Sequence, residues 1–292
     1  MSADTSGGSF DLDASRIALY AVLLAMVAFY LAPLESGFMT AFKTPDGFRS
    51  TTPFALPPIG EFTLSAWGMA FDRLSAGLLN SATMAVPATV LSALFGSLAA
   101  YGLTNLSWRG QVGVLMLFVA GVFIPYQAVL VPLTQFWSFV DLGGRIPIGI
   151  VADNEGLINL GITHVAYGIP ICTVLFRSYY ATIDDEMLEA ARLDGASAAT
   201  IYRRIILPLS VPIFAVTLIY QFTQIWNDLL FAIVLVSDPS NQVVTVALNQ
   251  LQGSFVQQFN LQMAGAFVAA LPTLVVYVLF GEQFAKGVAG DT

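Results

Sequence analysis

An all-α integral membrane protein is the fold class that this sequence predicts, and three observations predict it. Hydrophobic residues fill 57% of the 292 positions and charged residues only 10%, with a mean hydropathy of +0.75. Soluble domains carry about 25% charged residues. Six apolar stretches are each long enough to cross a bilayer as a helix, which takes roughly 20 residues. None of them alternates as the strands of a membrane barrel would, so helices are what remains.

Taken in order, the predicted spans run over about 17–34, 78–103, 112–133, 157–176, 209–236 and 263–284. The segment before the first span, 1–16, is acidic and polar. It lacks the basic start of a secretory signal, so it reads as a tail and the first span as retained. The remainder, 17–292, reads as one membrane domain. Residues 35–77 hold Pro45, Pro53, Pro57 and Pro58 and predict an irregular connection without a long helix. Residues 134–156, with Gly143, Gly144 and Pro147, and residues 237–262, rich in Asn, Gln and Ser, predict two more. Pro125 and Pro132 are expected to break or kink the third span. Gly96 and Gly102 are expected to let the second span pack closely against a neighbour.

Basic residues give the orientation. With the N-terminus inside, seven fall on the inner side (Arg16, Arg109, Arg177, Arg192, Arg203, Arg204 and Lys286). Four fall outside (Lys43, Arg49, Arg73 and Arg145). Both termini and the charged segment between spans four and five are therefore expected in the cytoplasm. The net charge of −8 with two lysines argues against nucleic acid as a partner. It would suit a high-salt cytoplasm. One cysteine, Cys172, and one histidine, His164, cannot build a zinc site alone, and no metal site is expected. Cys172 reads as a small hydrophobe and His164 as a satisfied core or interface residue.

The segment between spans four and five is the most informative. Eight of the chain's charges fall between Asp184 and Arg204. TIDDEMLEAARLDGAS reads as a short helix capped by Thr182 or Asp184. Asp184, Asp185 and Glu186 sit in its first turn, where they complement the helix dipole. Met187, Leu188 and Ala191 make a narrow apolar stripe. Gly195 stands where a left-handed C-terminal cap is usual. Ser197 can then cap a second helix with Ile201 and Ile205 four apart, and Pro208 is expected to mark the change into the fifth span. A loop that only connects two spans needs none of this. Two capped helices with apolar faces suggest a docking surface for another protein.

Glu189-Ala190-Ala191, then Gly195, then Ile205-Ile206-Leu207-Pro208 stand at the spacing of the EAA signature of permease subunits in binding-protein-dependent ABC importers. The stretches AFKTPDGF (41–48), LLNSATMA (78–85), LAAYGLTNLSWRGQ (98–111), LDGAS (193–197) and QIWNDLLF (224–231) resemble the maltose-type, carbohydrate-uptake branch. The resemblance covers essentially the whole chain. It implies a type-1 importer transmembrane domain in the cell membrane, with residues 182–208 as the coupling loop. Glu189, Ala190, Ala191, Asp194, Gly195, Ile201, Ile205, Leu207 and Pro208 would dock on an ATPase subunit. The partners implied are a second permease, two ATPase subunits, an external solute-binding protein, a sugar and the bilayer. ATP and magnesium would be bound by the ATPase, because this chain has no GxxxxGK[ST] phosphate loop and is not expected to be an enzyme.

Candidate substrate-path residues are Tyr126 and Gln127 beside Pro125, and Gln224, Asn227 and Asp228, which lie at i, i+3 and i+4 and are expected to share one face. Interhelical hydrogen bonding is the plainer alternative for the last two. The polar segment 249–260 could reach toward the binding protein or be a solvated loop. Two other functions stay open: an ABC permease for an amino acid or similar solute, and a secondary transporter. Asp228 is the only acidic residue near a span interior, and no half-repeat is visible, which speaks against the latter.

Overall fold

The computed structural model describes residues 14–252 and 258–289. Among these the secondary structure is helical apart from a single antiparallel bridge between Lys43 and Phe62. The long helices are α1 (Ala14–Ala41), α3 (Ser65–Thr104), α8 (Glu155–Tyr180) and α15 (Phe259–Ala289), with the short α2 (Pro45–Ser50) between the first two. Between α3 and α8 lie α4 (Gln111–Val122), α5 (Tyr126–Val140), α6 (Leu142–Arg145) and α7 (Gly149–Asp153). After α8 come α9 (Asp185–Leu193) and α10 (Ala198–Ile201). A wide π turn (Tyr202–Ile206) leads to α11 (Leu207–Leu209), α12 (Val211–Trp226), α13 (Leu230–Leu235) and α14 (Val244–Gln252).

Among the described residues four helices are long and apolar enough to cross a membrane, and the number reaches six if each of two bent pairs counts as one span: α4 with α5–α6 at 102°, and residues 198–209 with α12 at 76°. The bends correct the expected boundaries. The third span is not one helix over 112–133. It ends at Val122 and restarts at Tyr126, with Pro125 as the extended residue before the new helix. Pro132 sits inside α5 without ending it. The connection 134–156 is more helical than its glycines suggested, since α5 continues to Val140. The connection 35–77 ends early too. Its last proline is Pro58, and α3 starts at Ser65, whose N–H is held by Thr63 Oγ1 at 3.1 Å. The fifth span is interrupted at Asn227–Leu229, and 237–262 includes α14. Residues 1–13 of the acidic tail and 253–257 of the predicted outer segment lie outside the described residues, as does the side chain of Lys286.

The chain forms two compact units. In the first, residues 14–70 with 258–267, α1 presents exposed apolar residues all round from Ile17 to Leu31, the pattern of a helix solvated by lipid. Its far end is packed. The Phe38 ring meets Phe42, Trp67 and Phe267 at 4.9, 6.1 and 5.4 Å. Lys43 is fully buried and donates from Nζ to the Thr52 carbonyl at 2.9 Å, while its own carbonyl accepts from Asn260 Nδ2 at 3.0 Å. That burial pushes the Lys43 ammonium below the usual lysine range.

The second unit, residues 71–252 with 268–289, holds the core that positions the site. Ala93, Ala100, Cys172, Phe176, Tyr180, Leu188, Ile201 and Ile206 are buried together, drawn from α3, α8, α9 and the segment after it. α3 and α8 cross at Gly96. A Cβ there would stand 2.4 Å from Cys172 Cβ and 3.0 Å from the Cys172 and Thr173 backbone. Gly96 thus does what was expected, and Gly102 does not. No atom lies within 4 Å of a Cβ at Gly102, whose carbonyl instead accepts Trp108 Nε1 at 2.9 Å. Where α3, α8 and α12 meet, Gln221 is buried beside Gly168 and Ser92.

Gly96→Ala should force this crossing apart. The expected cost is about 1–3 kcal/mol, as for other overpacked cores, read as a lowered unfolding midpoint of the detergent-purified protein. Gly102→Ala, with open space around it, should show no such drop.

Candidate coupling loop and membrane path

The loop after α8 is built from local signals. Asp184 is extended and its Oδ1 accepts the Glu186 N–H at 2.9 Å, leaving Asp185 and Glu186 in the first turn of α9. The other end closes as a Schellman motif. The Ala196 N–H reaches the Ala191 carbonyl and the Gly195 N–H reaches the Arg192 carbonyl, both at 3.0 Å. Gly195 has φ +82°, a conformation that costs an L side chain about 1–2 kcal/mol. Ser197 then caps α10, its Oγ accepting the Thr200 N–H at 3.3 Å.

Burial divides the predicted docking residues. Glu189, Ala190, Asp194, Gly195 and Pro208 are exposed. So is Leu193, which is 89% exposed. Ala191, Ile205 and Leu207 are half-buried against the chain's own core, and Ile201 is 2% exposed within it. Leu188, from the predicted apolar stripe, is fully buried. The apolar faces of α9 and α10 are therefore spent largely on this chain. Ile201 is not on a surface that a partner could reach, which corrects its expected placement. Pro208 also falls short of the change into the fifth span. It lies inside the helical run 198–209, and the chain turns at Ser210, whose Oγ is bonded to the Ile206 carbonyl.

Hydrogen bonds fasten the loop to its membrane helices. Ser97 Oγ on α3 lies 2.6 Å from Tyr180 Oη and 2.8 Å from Tyr202 Oη. Tyr101 Oη donates to the Ala198 carbonyl at 3.1 Å, and Arg192 Nη2 to the Asn105 carbonyl at 2.8 Å. Tyr179 Oη donates to the Leu209 carbonyl at 2.8 Å.

The candidate path residues divide as well. Gln127, Gln224 and Asn227 are exposed, while Tyr126 is half-buried. Asp228 does not share a face with Gln224 and Asn227, because α12 ends at Trp226 and the Asp228 N–H already bonds the Ile225 carbonyl three residues back rather than four. Its side chain is 4% exposed and turns inward. The carboxylate accepts the N–H groups of Phe231 (3.5 Å) and Ala232 (3.3 Å), capping α13, and lies 3.4 Å from His164 Nε2 on α8. The Phe231 ring fills the space beside this pair, against Tyr126 at 4.7 Å, Tyr167 at 5.1 Å and His164 at 5.8 Å. Trp226 Nε1 donates to the Ala269 carbonyl at 2.9 Å. A hollow of about 610 Å³ beside α3, α7 and α8 is lined mainly by apolar groups such as Leu79, Met84, Leu157 and Ile162, and by none of the five path candidates. Sequence reasoning missed the His164–Asp228 pair. The chain's one histidine and its one acidic residue near a span interior were the signal available.

A capped helix pair with a glycine turn is thus packed against helices long and apolar enough to cross a membrane. Residues 92–285 match the family of binding-protein-dependent transport system inner membrane components. The chain belongs to that family. The permease is 50% identical over 305 residues to the xylose/arabinose import permease protein XacI of Haloferax volcanii, covering 98% of each chain. It is 28% identical over 280 residues to the glucose import system permease protein GlcU of Saccharolobus solfataricus, covering 93% of each. Its fold is also that of a chain in the crystal structure of a bacterial ABC transporter that imports alginate. That match has a TM-score of 0.73 over 94% of the permease and 99% of the solved chain, at 20% identity.

Replacing His164 by Leu should leave the Asp228 carboxylate buried with two long backbone bonds. Leaving a buried polar group with fewer polar neighbours costs about 1–3 kcal/mol. The expected reading is a drop in the unfolding midpoint of the purified permease, with His164→Gln, which keeps a polar side chain beside Asp228, losing less.

Proposed function

We propose that this chain is the membrane-spanning permease subunit of an ABC importer that carries a sugar across the cell membrane. ATP would be hydrolysed, with magnesium, on a separate ATPase subunit that docks on the loop 182–208. The complex would also contain a second permease, a second ATPase subunit and an external solute-binding protein. The termini and the loop lie in the cytoplasm on this reading, which the distribution of basic residues supports. The kinship with sugar permeases supports a sugar as cargo, and xylose and arabinose are the first probes to use.

The observation that carries the docking role is the α9 turn. Its apex exposes Ala190, Leu193, Asp194 and Gly195, and no atom of this chain lies within 4 Å of a Cβ at Gly195. The exposed small residues and the open space suit close approach of another protein. Gln127, Gln224 and Asn227 keep the role of path candidates, since they are exposed polar groups on membrane helices and sugars are held through hydrogen bonds. Tyr126 and Asp228 act behind them, through Phe231 and the cap of α13.

The test is Gly195→Val in the full complex. A β-branched residue at positive φ must unwind the Schellman turn. The expected outcome is loss of co-purifying ATPase and a fall in labelled xylose uptake of about ten-fold or more, the effect of roughly 1.4 kcal/mol on an equilibrium. ATPase retention with unchanged uptake would remove the docking reading.

A further inference from the structure

We propose that the end of α3, with Ser97 and Tyr101 on one face and the Asn105 carbonyl just past its last residue, is the lever through which the loop moves the spans. On this proposal the hydroxyls of Tyr101, Tyr180 and Tyr202 are positioning groups for coupling. The proposal rests on reading the loop as the ATPase-docking element.

Three rungs, each four residues apart, stand at the end of α3, two on the helix and the third on the residue that follows it. A four-residue step is about 6 Å along a helix and keeps to one face. Each rung grips a different part of the loop. Ser97 holds both legs of the hairpin, through Tyr180 at the end of α8 and Tyr202 at the start of the π turn. Tyr101 holds the first turn of α10 through the Ala198 carbonyl, and its ring lies 5.3 Å from that of Tyr202. The Asn105 carbonyl holds the end of α9 through Arg192. Ser97 is 0%, Tyr180 1% and Tyr202 9% exposed, so water cannot readily replace these partners. A hydroxyl can donate once and accept twice, and the Ser97 hydroxyl serves two phenols at once.

The alternative route for motion is the chain itself, from the loop into α12. That route is jointed. It passes through a π turn and then a 76° bend at Ser210 before α12 begins. The α3 route has no joint between the rungs and the membrane helix, and at Gly96 α3 is in backbone contact with α8. The π turn contributes by its register. It inserts one residue into the helical run and leaves both Tyr202 and Ile206 buried against the same core. A motion applied to α9 and α10 therefore reaches α3 and α8 through hydrogen bonds, and α12 only through apolar contacts such as Ile213 and Phe214 in the shared core.

The test uses the complete complex in proteoliposomes, with the binding protein and labelled xylose or arabinose as the transported probe. Tyr202→Phe and Ser97→Ala each remove a hydroxyl with little change of shape. Both should keep the ATPase subunits in wild-type proportion and hydrolyse ATP at close to the wild-type rate. Sugar moved per ATP should fall about five-fold, the size expected from the loss of one buried hydrogen bond. The double variant should be no worse than the weaker single, because one rung is broken in all three. Tyr101→Phe should uncouple further when added to either. Unchanged sugar per ATP in all variants overturns the proposal, and so does a fall that only tracks lost ATPase. Failure of the docking reading is separately visible, since Gly195→Val would then keep its ATPase while the rung variants give whatever ratio they give.

Discussion

The crossing of α3 and α8 at Gly96 is the contact on which the rest of the second unit depends. With no side chain at that point the two backbones approach to about van der Waals distance. Everything beyond the crossing is then brought within reach of short polar groups. The very next residue, Ser97, meets Tyr180 and Tyr202 at hydrogen-bond distance. Had the helices been held apart by even a methyl group, the hydroxyls would have been left unpaired in an apolar core, at roughly 1–3 kcal/mol each. Close packing and polar satisfaction are thus a single condition here.

The same condition governs the broken spans. A helix can stop inside a membrane only where protein groups take over the freed N–H and carbonyl groups. At Asn227–Leu229 the Asp228 carboxyl group caps the next helix, Thr245 donates to the Asp228 carbonyl at 2.7 Å, and His164 of α8 lies 3.4 Å from the Asp228 side chain. At Ser210 the hydroxyl returns to the Ile206 carbonyl. Each break is answered from within the second unit, and each changes which side chains look outward. Gln224 and Asn227 remain exposed, while Asp228 is withdrawn into the protein.

Much of this was legible in the sequence where the cause is local. Asp184, Gly195 and Ser197 were expected as caps, because a cap needs only its own backbone within four residues, and they are caps. The long helices followed from runs of apolar residues. The covering of a face was not legible. Leu188 and Ile201 announce an apolar face, and nothing local says whether a partner or the chain itself will cover it. The break at Asp228 was hidden for a similar reason. The run 209–236 is apolar enough to read as one span, and part of what holds the interruption, Thr245 on the Asp228 carbonyl, comes from another helix. The early start of α3 was hidden by composition, since prolines up to Pro58 coloured the reading of a stretch that is free of them from Ile59 onward.

The π turn at Tyr202–Ile206 carries one consequence for the chain's history. It holds one residue more than an ordinary helical turn needs. A residue lost there would close the turn to the ordinary helical repeat and leave Ser210 and α12 in phase. A residue lost from α12, which has no such slack, would turn every later side chain of that helix by about 100° around its axis. The π turn is thus the one place in this run where a change of length can be absorbed.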